Sequence, residues 1–104
     1  MSAGANPHRG EASLTVAGET LVLRPSFGAL VAAEQELGSL FSLVERAAEG
    51  RLTLLEIAAL FDHLTAGRPQ PITRERIGQA IVEQGLARTT PALKLILGQI
   101  LQGR

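Results

Sequence analysis

The stretch Leu21-Val22-Leu23-Arg24-Pro25-Ser26-Phe27-Gly28-Ala29-Leu30-Val31-Ala32-Ala33-Glu34-Gln35-Glu36-Leu37-Gly38 passes from strand chemistry to helix chemistry within a few residues. Leu21, Val22 and Leu23 suit a strand, Pro25 has no N–H with which to continue a ladder, and Ser26 stands as an N-cap before a run of helical period. A strand is therefore expected to hand directly into a helix. On that helix Phe27, Leu30, Val31 and Leu37 form the expected buried stripe, and Glu34 falls within it by its spacing of three from Val31 and four from Leu30. A carboxylate on an apolar face requires a partner. Arg24, Arg46 or backbone N–H groups would serve as structural partners, and a contact to another protein is the functional alternative.

Upstream, Ala12, Leu14 and Val16 alternate with Ser13 and Thr15, the pattern of a half-buried strand. Ala17-Gly18-Glu19 makes a tight connection, because Gly18 accepts the positive φ of a short hairpin loop. Two strands alone are marginal in water, so the side carrying Leu14, Val16, Leu21 and Leu23 must lie on helices. Downstream, each helix opens at a hydroxyl and closes at a glycine. The first runs from Ser26 to Gly38 and the second from Ser39 to Gly50, with Leu40, Leu43, Val44 and Ala47 on one stripe. Thr53 and Glu56 form a capping box for the third, whose expected buried stripe is Leu54, Ile57, Ala58, Phe61 and Leu64 before Gly67. Arg68-Pro69-Gln70-Pro71 reads as an extended linker. Thr73 caps the fourth helix, which buries Ile77, Ala80 and Ile81 and ends at Gly85. Thr90 caps the fifth with Pro91 at its first position, and Leu93, Ile96, Leu97, Ile100 and Leu101 give it an apolar stripe ending at Gly103. The expected fold is α+β, a short N-terminal β-hairpin packed on a bundle of about five α-helices. Residues 1–10 read as a flexible arm and 11–104 as a single hairpin-plus-helices domain.

The composition narrows the function classes. A chain of 104 residues with 45% hydrophobic content is too apolar for disorder, while 3% aromatic content requires a core of Leu, Ile, Val and Ala. The absence of Cys excludes disulfide frameworks, thiolate metal sites and cysteine nucleophiles, and fits a reducing cytoplasm. Ten basic residues balance ten acidic ones and are scattered, and neither Trp nor Tyr is present for base stacking. Nucleic acid is therefore not an expected partner. Nor is a membrane, since no apolar run reaches roughly 18 residues and the N-terminus lacks a signal peptide's apolar core.

No enzymatic constellation stands out. His8 lies in the arm and His63 late in the third helix, without the spacing of a metal site. Ser26 and Ser39 are accounted for by capping, and no glycine cluster has the context of a phosphate loop. The expectation is a protein without catalytic residues, metal or cofactor. Small residues at Gly28, Ala29, Ala32 and Ala33 are expected to let another element approach the first helix. Leu55, Val82 and Leu95 lie off the buried faces of their helices. With Glu34, these three are the candidates for contact with a partner or with a second copy of the chain.

The segment Asn6-Pro7-His8-Arg9-Gly10-Glu11, followed by a strand, Gly18, Leu23-Arg24-Pro25-Ser26-Phe27-Gly28-Ala29-Leu30 and Glu34 to Gly38, resembles the gene transfer agent family of small phage-tail proteins. These are classed with phage tail assembly chaperones, and the family is also labelled tail tube protein. The likeness continues through Leu43–Gly50, the third helix, Ile72–Gly85 and the closing apolar helix. It implies a cytoplasmic assembly factor that binds the tape measure protein and tail tube protein; the mechanism expected here is helix-in-groove binding, in which the helical body covers apolar stripes of tape measure helices until tube subunits displace it. A structural tail tube component and a generic helical interaction module are the alternatives.

Overall fold

The computed structural model describes residues 12–103, so the expected arm at 1–10 lies outside the described residues. Strands β1 (Ala12–Val16) and β2 (Glu19–Leu23) are followed by α1 (Phe27–Leu37), α2 (Leu40–Ala48), α3 (Leu54–Leu64), α4 (Arg74–Gln84) and α5 (Leu86–Gln102). The α+β expectation of a hairpin on five helices holds. The strands pair antiparallel with Leu14 opposite Leu21 and Ala12 opposite Leu23. Leu14, Val16, Leu21 and Leu23 are buried on the inward side, as their alternation requires.

The hairpin loop is Ala17-Gly18, with φ of 52° and 81°. Both residues thus take the left-handed conformation of a two-residue loop that matches strand twist, and Ala17 takes it with a Cβ. Ala17→Gly or Ala17→Asn is expected to stabilise the chain by about 0.5–1 kcal/mol, read as a raised urea midpoint. An unchanged or lowered midpoint would contradict the assigned loop strain.

Four of the five helix starts form as expected. Ser26, Ser39, Thr53 and Thr73 each accept a hydrogen bond from the backbone N–H three residues on. The Thr53–Glu56 box is complete in both directions, and Arg46 donates to both carboxylate oxygens of Glu56 at 2.8 Å. The backbone N–H of Thr53, then Arg46, draws the Glu56 carboxyl below its ordinary range against the opposing effect of desolvation. At the end of α2, Gly50 (φ 70°) donates to the Ala47 carbonyl and Arg51 to that of Arg46, the paired closure of a Schellman motif.

Two element boundaries differ from expectation. Helix α3 closes at Thr65, two residues before Gly67, because the buried Thr65 hydroxyl turns back to the Phe61 carbonyl at 2.7 Å. Helix α5 begins at Leu86, so Gly85 alone joins α4 to α5 and Pro91 lies inside the helix. The hydroxyls of Thr89 and Thr90 donate back to the carbonyls of Gly85 and Leu86, so Thr90 does not act as an N-cap. Pro91 supplies no N–H to the Ala87 carbonyl, and the exposure of Ala87 keeps that vacancy inexpensive.

The core lies where α3 meets the other layers: α3 packs on α1, α4, α5 and β2, while β1 packs on α5 and α4. Ile57, Ala58, Phe61 and Leu64 are buried as expected, joined by Ala59 and Leu60, whereas Leu54 at the helix start is exposed. On α1 the buried residues are Ala29 and Ala33. The expected stripe is thus corrected: Leu30 and Leu37 flank the core, and Phe27 points to solvent. Small side chains bring the α1 backbone close to α3, and that approach fixes the helix's rotation. Of the small residues expected there, Gly28 takes no part, since a Cβ built on it meets nothing within 4 Å.

A charged network fastens the ends of α1, α3 and α4. Arg74 donates to both oxygens of Glu36 at 2.6 and 2.8 Å and to Asp62 at 3.0 Å, and His63 Nε2 donates to Glu36 at 2.7 Å. The hydrogen bond from Arg74, then that from His63, lowers the Glu36 carboxyl from the ordinary 4.5 to about 2. A carboxyl depressed on folding stabilises the chain above its unfolded value and loses that contribution as pH falls through the folded one. Thermal stability is therefore expected to decline between pH 4.5 and about 2, and Glu36→Gln should flatten that part of the pH–melting profile. A variant profile parallel to the parent's would remove Glu36 from the account.

Candidate functional site

The helices that close the core also leave large apolar side chains outside it. Leu55 on α3 is 82% exposed and Val82 on α4 is 59% exposed, as their positions off the buried faces imply. Leu95 does not join them: it is partly buried and packs against the core, because α5 is enclosed on more than one side. Glu34 also departs from expectation. It is exposed, and its Oε2 accepts the Leu40 N–H at 3.1 Å, adding a second cap to α2 beside Ser39. Of the structural partners expected for it, backbone N–H is realised, while Arg46 is engaged with Glu56.

Sequence reasoning missed Phe27 (84% exposed), Phe41 (71% exposed) and Leu86, and Leu101, expected in the apolar stripe of α5, is exposed as well. Phe41 stands opposite the Leu43–Ala47 face of α2, so the off-stripe criterion that found Leu55 would have found it. Leu86 was hidden by starting α5 at Thr90. Phe27 was hidden by the rotation of α1, which no signal in the local sequence fixes.

One opening includes Leu86 in its wall and another lies beside β2. An apolar groove of about 220 Å³ runs between the end of α2, the loop before α3 and the first turns of α5. Leu52, Ile57, Leu86, Ala87 and Leu93 line it, with Lys94 at its side. Lys94 is exposed and forms no ion pair among the described residues. A second opening of about 350 Å³ separates β2 from the end of α3, with Thr20, Val22, Ser26 and His63 on its walls. With a two-residue loop, Val16 and Glu19 close the ladder, so the backbone groups of Thr20 and Val22 face outward along the free edge of β2. On the other edge, Gln84 Nε2 donates to the Thr15 carbonyl at 2.5 Å, while α4 and α5 pack against β1.

Among the described residues, no three His, Asp or Glu side chains gather as a metal-holding group, and no single helix is long and apolar enough to cross a membrane. What these surfaces present is exposed apolar side chain.

Comparison with known families gives one finding: residues 9–103 match the family described as Phage tail tube protein, GTA-gp10. No curated protein and no solved structure matches the chain.

Proposed function

The chain belongs to the phage tail tube protein family GTA-gp10, and on that premise we propose that it is a non-enzymatic component of tail tube assembly that works by apolar contact with other tail proteins. The observation that carries this reading is the set of large apolar side chains, Phe27, Phe41, Leu55, Val82 and Leu86, left outside a core that is closed without them. Such residues become energetically useful when a partner removes them from water, at roughly 25 cal/mol per Å² of apolar surface. The balanced charge of the chain suits contact of this kind better than long-range electrostatic capture. Its place of action is the cytoplasm in which tails are built.

A second reading, an assembly chaperone that holds the tape measure protein and recruits tube subunits, is favoured by the small sheet, which among the described residues is one hairpin of two five-residue strands. A tube joined sheet to sheet needs two edges to pair on each subunit, and this hairpin offers short ones, with the Thr15 carbonyl of β1 already taken by Gln84. A chaperone needs no such pairing.

Co-expression with the tail tube and tape measure proteins of the same gene cluster, followed by affinity capture and sizing, tests both. Incorporation into rings or tubes with the tube protein is expected for a tube component. A soluble stoichiometric complex with the tape measure, absent from finished tails, would assign the chaperone role. Capture of neither protein would overturn the proposal.

A further inference from the structure

The most exposed large apolar side chain and the apolar groove sit at opposite ends of α3. Phe27 follows Arg24, whose backbone N–H is bonded to the Leu64 carbonyl at the C-terminal end of α3, whereas the groove is built around Ile57 and Leu52 at its N-terminal end. Eleven helical residues, about 16 Å, separate the two. A chain cannot place its own Phe27 in its own groove across that length, but a second copy can.

We propose that the outer face of α1 of one copy, led by Phe27, seats in the α2–α3–α5 groove of a second copy. Size agrees: a cavity of about 150 Å³ lined by Leu, Ile and Phe side chains takes a benzene ring, and the groove offers about 220 Å³. Charge agrees as well. Glu34 lies seven residues after Phe27 on the same exposed face of α1, about 10 Å along the helix. Lys94 lies eight residues after Leu86 on α5, about 12 Å along it. With Phe27 beside Leu86, Glu34 reaches Lys94 through the carboxylate oxygen that does not accept the Leu40 N–H, and neither residue forms an ion pair among the described residues. Val31, partly exposed between them, completes the i, i+4, i+7 anchors of a helix laid in a groove. The absence of any side-chain contact at Gly28 leaves room for the approaching wall next to Phe27.

Knob and groove are different patches, so the contact is heterologous: each copy offers one of each, and repetition gives a closed ring or an open row. This inference rests on side-chain placement alone and is independent of the tail reading.

Sedimentation velocity of the full chain over a concentration series tests it. The parent is expected to self-associate reversibly, and Phe27→Asp and Ala87→Arg are each expected to weaken association at least about tenfold. Both positions are exposed, so circular dichroism should show the fold unchanged. Mixing the two variants supplies one intact knob and one intact groove, and should restore a complex that stops at the dimer. Lys94→Glu should weaken association, and combining it with Glu34→Lys should recover it. A parent that is monomeric throughout, or self-association indifferent to Phe27→Asp, would overturn the proposal. A monomer that still captures tail proteins would do so while leaving the tail role intact.

Discussion

Phe61→Ala is expected to lower the unfolding free energy by about 3–5 kcal/mol in urea denaturation. Phe61 is the largest of the fully buried side chains, and it sits on the helix that touches α1, α4, α5 and β2. Truncation opens a cavity where several elements meet, and no one of them can close it without leaving the others. A domain of this size has only about 5–15 kcal/mol in total, so the variant should be partly unfolded at body temperature. Phe61→Leu keeps most of the volume and is expected to lose less than about 1.5 kcal/mol. Equal losses for the two would show that the aromatic ring rather than the filled volume matters at this position.

Arg68→Ala is expected to destabilise by about 2–3 kcal/mol, with Arg68→Lys recovering little of it. The guanidinium donates through Nε to the Ile72 carbonyl at 2.5 Å, and through one terminal nitrogen to the carbonyls of Asp62 and Thr65 at 3.0 and 3.3 Å. Its other terminal nitrogen pairs with the Asp62 carboxylate, and both side chains are only 17% exposed. One planar fork thus holds the end of α3, the turn after it and the entry to α4, which explains why the two prolines do not give an extended linker. The Ile72 N–H closes a turn onto the Pro69 carbonyl. A lysine presents a single ammonium and cannot meet these acceptors together. Truncation leaves Asp62 only its pairing with Arg74. If Arg68→Lys were as stable as the parent, charge rather than fork geometry would hold this corner.

What was legible in the sequence follows the range of the interactions involved. Ser26, Ser39, Thr53 and Thr73 marked helix starts because a cap is a bond between residues three apart. Gly18 and Gly50 marked turns because positive φ is a property of single residues. The alternation in β1 and β2 carried its own inside and outside. Failure came where a second element decides. The face of α1 follows the close approach of Ala29 and Ala33 to α3, against the larger side chains that its periodicity offered. At Thr90-Pro91, a local signal for a helix start was overridden because Gly85 already supplies a break and the proline falls on an exposed turn. Arg68 was unreadable as a staple, since its acceptors are mostly backbone carbonyls. Of the candidate surface, Leu55 and Val82 were legible from helical phase, and Phe41 was legible by the same criterion though not singled out; Leu95 was enclosed by neighbouring elements, and Phe27 and Leu86 emerged only with the fold.

The most direct test of the tail assignment is deletion of this gene from an element that produces particles, followed by electron microscopy of those particles. Heads without tails, restored to tailed particles when the gene is supplied in trans, are the expected result. Particles with tails of normal length and number in its absence would contradict a role in building the tail.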